Sequence, residues 1–180
     1  MEFIANLWLP IVVSAVLVWV ASFFMHMVLP HHKKDFSKLP DEAQFFAGLQ
    51  GVAPGQYMFP WCTMAEMKTP EFQERQKTVP NGTLNLWSGP VNMGKNLMLT
   101  LLFYLVVGFF VAYLASHSIA TGTPYLKVFQ IAGAAAFMAH GLGWIPNTIW
   151  FGWKGFGGYM FDSIVFALIT AGTFGWLWSR

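Results

Sequence analysis

The sequence predicts an all-α fold, an integral membrane four-helix bundle with a cytoplasmic, membrane-hugging insert between its first two spans. Three observations point there. Only 10% of the 180 residues are charged and 56% are hydrophobic, whereas a soluble globular chain carries about 25% charged residues. Four stretches hold the roughly 20 apolar residues a spanning helix needs. Small residues recur every fourth position in three of those stretches, the spacing that lets helices approach closely in lipid. The whole chain, 1–180, reads as one membrane domain.

The first span is LWLPIVVSAVLVWVASFFMHMVL, residues 7–29. With no basic segment and no clear cleavage site around it, it reads as an anchor rather than a removable leader. The second, LMLTLLFYLVVGFFVAYLAS, covers 97–116, and the third, 126–147, is interrupted by Gln130, His140 and several glycines. The fourth covers 159–178. Trp8, Trp144, Trp150, Trp153, Trp176 and Trp178 fall near span ends, where an interfacial aromatic belt places them.

Basic residues orient the bundle. Lys33, Lys34, Lys38, Lys68, Arg75, Lys77 and Lys95 lie between spans one and two, and Lys154 between spans three and four. Only Lys127 and Arg180 fall on the other side. The positive-inside rule therefore puts 30–95 in the cytoplasm and both termini outside.

Within the insert, Pro30, Pro40, Pro54 and Pro60 break the first half. Residues 41–50 suit a short helix, with acids in the first turn where the helix dipole favours them. Residues 69–77 suit another, with Thr69 as cap and Pro70 at the first position. GQYMFPWCTM (55–64) between them reads as extended chain against the membrane or under the bundle.

SGPVNMGKN (88–96) nearly matches the phosphate-binding pattern G-x-x-x-x-G-K-[ST]. That pattern works when a buried strand leads into a soluble helix and a Ser or Thr hydroxyl holds Mg²⁺. Here Asn96 replaces the hydroxyl residue and the following helix is a membrane span. Lys95 reads as the cytoplasmic edge of span two, so no nucleotide is expected. A net charge of +2 gives no reason to expect nucleic acid.

The small-residue stripes are Ser163, Ala167, Ala171 and Gly175 in span four, Ala135, Ala139 and Gly143 in span three, and Gly108, Ala112 and Ser116 in span two. Those of spans three and four are expected to face each other across a short linker. Part of a stripe is also available for contact with another copy or another membrane subunit. FFMHMVLP (23–30) and FMAHGLGWIP (137–146) echo one another, as a duplicated two-helix unit would.

Asp162 is the only acid within a span, about one turn inside the cytoplasmic end of span four. Ionisable groups at such depth are costly and mark functional hypotheses. Asn147 and Lys154 lie at the same end and are expected as partners. With His140, Asp162 and Asn147 form a candidate polar membrane site. His26 and His140 lie on parallel spans and are candidate ligands for haem b, though a hydrogen bond to a neighbouring helix is the simpler use of each. His31 and His32 look like a headgroup-facing patch, and with no third ligand in sight no metal site is expected. Cys62 excludes an internal disulfide and reads as a buried thiol.

LPDE (39–42), GQYMFP (55–60), SGPVNMGK (88–95) and FDSIVFALITAGTFGWLW (161–178) together resemble a group of uncharacterised small bacterial membrane proteins. That group has four spans and a cytoplasmic insert after the first. The resemblance implies a bacterial inner membrane and supplies no activity or ligand. Since no nucleophile–base pair is visible, the expected function is non-enzymatic. It is that of an accessory or scaffold subunit in the lipid bilayer, assembled with itself or with other membrane subunits. The alternatives are a small transporter or channel using Asp162 and His140, and a haem protein using His26 and His140.

Overall fold

The computed structural model describes residues 2–178; Arg180, counted above on the outer side, lies outside them. The chain forms two compact units, one up to Ser37 and from Asn92 onward, the other Lys38–Val91.

The first unit is the helical bundle. Helix α1 (Glu2–Phe23) runs directly into a π-helical turn, Phe24–Val28. After the insert, α4 spans Met93–Ser118. Helix α5 (Tyr125–Phe137) passes through a second π-helical turn, Met138–Leu142, into α6 (Trp144–Phe151), and α7 covers Phe156–Leu177. Four helical stretches are long and apolar enough to cross a membrane: Phe3–Val28, Met93–Ser118, Tyr125–Phe151 and Phe156–Leu177. The fold is the expected all-α membrane bundle. Each span is longer at one or both ends than its apolar run, because capping residues and interfacial aromatics continue the helix past the last purely apolar position.

Helix α1 packs on α4 and α7, and α5 packs on the same two, so the spans close into a ring. One apolar cluster joins Leu7, Ile11, Val107, Val111, Ala132, Ala136, Ala167 and Phe174; another joins Ala15, Val18, Met25, Tyr104 and Phe166. The span-four stripe is buried along its whole length, at Ser163, Ala167, Ala171 and Gly175. A Cβ on Gly133 would stand 3.1 Å from that of Ala171, so spans three and four do meet through small residues. The span-three stripe is only partly the one expected. Ala135 is buried, but Ala139 and Gly143 are exposed. Ala136 in α5 and His140 and Gly141 in the π-helical turn are buried instead.

Hydroxyls inside the bundle bond to backbone carbonyls, as lipid surroundings require. Thr170 Oγ1 donates to the Phe166 carbonyl and Thr173 Oγ1 to that of Ile169. Asn92 caps α4, its Oδ1 accepting from the Lys95 N–H at 2.9 Å. That amide is one a phosphate would need, and Gly94 lies within the helix rather than in a loop.

In the second unit, α2 (Glu42–Gly48) is capped by Asp41 and α3 (Pro70–Thr78) by Thr69, with Pro70 at its start. Strands β1 (Gly55–Phe59) and β2 (Gly82–Leu86) pair antiparallel, Tyr57 opposite Leu84. The extended reading of 55–64 therefore holds for its first half, and the pairing partner is the stretch that precedes the glycine–lysine run.

Candidate metal centre and its cavity

Pro30 ends the first span, and a short 3-10 turn, Pro30–His32, folds the chain back over the end of α7. This fold-back puts His31 and His32 beside Asp162, more than 120 residues away in sequence. Asp162 is 2% exposed. His31 Nε2 lies 2.7 Å from its Oδ1 and His32 Nε2 lies 2.8 Å from its Oδ2. His26 Nε2 stands 3.6 Å from the same Oδ2. The His26 and His32 rings stack at 4.5 Å and 12°.

Two glycines make the fold-back fit. A Cβ on Gly158 would come within 3.0 Å of His32 Cε1. Gly155 has φ of +80°, a left-handed conformation that side chains disfavour, and a Cβ there would meet the Asp35 carboxyl at 3.1 Å. Both belong to the run GFGG (155–158) that opens α7.

The second ring nitrogens settle what the first can do. His26 Nδ1 is 2.9 Å from the Ser22 carbonyl, which only accepts, so Nδ1 carries the hydrogen. His32 Nδ1 is 2.6 Å from Asp35 Oδ2 and donates to it. In their neutral forms both imidazoles therefore turn an Nε2 lone pair toward Asp162 Oδ2. The short His32–Asp162 contact needs a proton or another cation between its atoms, and His26 Nε2 stands 3.6 Å from the same oxygen. A proton on His32 serves, giving an imidazolium held between two carboxylates. Burial works to lower the His32 pKa, but the hydrogen bonds to Asp162 and Asp35 outweigh it and hold it above its ordinary 6.5. A metal ion serves equally. The ligand atoms of His26, His32 and Asp162 all lie within 4.8 Å of one another. Ligands at 2.0–2.2 Å in a tetrahedral shell stand roughly 3.3–3.6 Å apart; His26 Nε2, 3.6 Å from Oδ2, already stands at that separation, and His32 Nε2, at 2.8 Å, would draw back slightly to admit an ion. Asp35 then stands behind His32 as the outer carboxylate that typically orients a metal-bound imidazole. His31 stands behind Asp162 in the same way.

His26 and Asp162 also line a cavity of about 460 Å³ within the bundle. Its walls include Phe103, Tyr104, His140, Trp144, Asn147, Tyr159 and Phe166. Trp144 and Tyr159 stack on each other at 4.0 Å in its wall. His140 sits in the π-helical turn of span three, where Ser163 Oγ lies 2.9 Å from its backbone carbonyl and 2.7 Å from that of Tyr159.

The sequence-level candidates are brought together only in part. Asp162, Asn147 and His140 line one cavity, but the side chains that hydrogen-bond Asp162 are His31 and His32 rather than the expected Asn147. Lys154 does not pair with Asp162; its Nζ donates to Ser37 Oγ at 2.7 Å. The histidine pair read as a headgroup patch is turned onto span four, where both rings meet Asp162. His26 presents Nε2 to Asp162 at 3.6 Å with its face against His32. Cys62 is half-buried. Asp35, Tyr104 and Tyr159 were not singled out. The spacing H-x4-H-H-x2-D at the end of a span, matched by a lone acid at the same end of another, was the available signal.

No family model, curated protein or solved structure matches the chain. Function is argued from the site alone.

Proposed function

We propose that this integral membrane protein binds a divalent first-row transition metal ion through His26, His32 and Asp162. The observation that supports it is the convergence of two tautomer-fixed Nε2 lone pairs on one buried carboxylate oxygen. Imidazole with carboxylate suits zinc, iron and their neighbours rather than soft monovalent ions. Three ligands leave a coordination position free. Because His26 and Asp162 also line the cavity, that position is offered to a ligand within the bundle, as in centres that act on a substrate. A purely structural metal site would call for a closed shell of protein ligands.

The test is metal loading of the purified, chelator-stripped protein with Co²⁺. One ion per chain with a visible d–d band is expected. It should be lost in His26→Gln, whose ring is partly exposed and whose replacement leaves the fold intact, and in Asp162→Asn. No binding by wild type overturns the reading.

Two other readings each have one supporting observation. Asp162 and His140 line one cavity, as a transport path would require, and Asp162→Asn should then abolish flux in vesicles. His26 and His140 line it together, as a haem site would require, and a Soret band in the purified protein would replace the metal reading with that one.

A further inference from the structure

His140 is 8% exposed, and its ring is surrounded by Phe103, Tyr104 and Phe166 at centroid distances of 5.6–5.9 Å. Neither ring nitrogen has a hydrogen-bond partner among the described residues. No buried polar side-chain atom among them is both sealed from space and unpartnered, so the His140 nitrogens reach the cavity. A buried imidazole without a partner costs stability unless something in the cavity engages it. The cavity is otherwise mostly aromatic and apolar, the usual make-up of a ligand pocket of 300–1,000 Å³.

The opening of the cavity is set by the exposed residues of its wall. Phe103 on α4 and Ala139 and Gly143 on span three are exposed within membrane-spanning segments. His26 on span one and Asn147 on span three, also exposed within these segments, stand at the same opening, so the mouth faces the lipid beside α4 and span three with two polar residues at its edge. At the inner end, a divalent ion with Asp162 as its only anionic ligand keeps one positive charge, since Asp35 is engaged by His32 Nδ1.

We propose that the cavity binds a membrane-soluble, single-chain carboxylate that enters laterally between α4 and span three. Its head completes the coordination of the ion, His140 donates a hydrogen bond to it, and its chain lies along Phe103, Phe166 and Trp144. This rests on the metal reading for the head and on the cavity alone for the chain.

The experiment uses the full chain in zwitterionic nanodiscs with dodecanoate as probe. In the Co²⁺-loaded protein, dodecanoate should shift the cobalt band, and a brominated dodecanoate should quench a fluorescence component that Trp144→Phe removes. Gly143→Leu fills the mouth without strain, because Gly143 has φ of −62° and nothing within 4 Å of an added Cβ. It should keep Co²⁺ and weaken dodecanoate binding at least tenfold. An unmoved band with no Trp144 quenching overturns the proposal. So does acetate acting as strongly as dodecanoate, since that head arrives from water. If Co²⁺ does not bind at all, the metal reading fails by itself. Quenching of Trp144 that Gly143→Leu abolishes then upholds the lipid site, and its absence overturns it.

Discussion

His26 and His140 occupy the central position of two matching π-helical turns, Phe24–Val28 and Met138–Leu142, and line the same cavity. A π-helical turn carries one residue more than the α-helix around it, which widens the helix and is found often at functional sites. The similar peptides FFMHM and FMAHG thus perform similar local structure on two spans that face each other across the ring. Their roles differ. His26 Nε2 faces Asp162, whereas the His140 ring meets Phe103, Tyr104 and Phe166. His26→Gln should lower metal affinity by more than tenfold, and His140→Gln should leave it unchanged while weakening the cavity ligand. Isothermal titration with Zn²⁺ on both variants checks the split. Equal losses would mean that both histidines hold the ion.

Asp35 reaches His32 from behind, at 2.6 Å from Nδ1. Outer carboxylates of this kind fix the tautomer and raise the basicity of a ligating imidazole, and their removal typically costs 10–100-fold in affinity. Asp35→Asn keeps the shape and an acceptor oxygen but loses the charge. A drop of about tenfold or more in Zn²⁺ affinity is expected by the same rule, with the fold unchanged by circular dichroism. Unaltered affinity would place His32 outside the metal shell.

Stability should depend on pH with opposite sign in the two forms. Facing His32 are Asp162 of α7, Asp35 of its own turn, the His26 and His31 rings, and the Tyr159 ring at 5.0 Å. The folded-state pKa of His32 is raised above 6.5. Its contribution in the metal-free protein is therefore fully present below that value and is lost as pH rises through the folded pKa. The metal-free Tm should fall across this window, and His32→Gln should flatten the curve. The metal-loaded protein should gain stability over the same window, because the ion requires the neutral imidazole. Melting curves at graded pH, with and without Zn²⁺, decide it; parallel curves would exclude His32 as a ligand.

The bundle was legible because its determinants are local. Hydrophobic runs define the spans, and Asp41, Thr69 and Asn92 cap helices through amides three residues on. The cluster was not, because its members come from two ends of the chain. His31 and His32 read as a polar patch until Pro30 and the GFGG run bring them onto α7. The π-helical turns were equally hidden. The stripe expected at Ala135, Ala139 and Gly143 is inward at its first member and opens onto the cavity at the other two. The echo between the two histidine peptides was the one trace of the turns in the sequence.

Sidedness decides from which compartment the ion is loaded. Seven basic residues fall between spans one and two, against Lys127 and Arg180 on the far side, and basic flanks stay cytoplasmic. The His31–His32 turn directly follows the first span, so it shares the side of the insert that begins after it. Cys62 is the only cysteine and is partly accessible, which makes it a reporter. A membrane-impermeant maleimide should leave Cys62 unlabelled in intact cells and label it in inverted vesicles. In Cys62→Ser carrying Thr121→Cys, at an exposed position between α4 and α5, the pattern should reverse. If Cys62 labels from outside instead, the charge rule fails for this chain, and the metal site loads from the outer medium rather than from the cytoplasm.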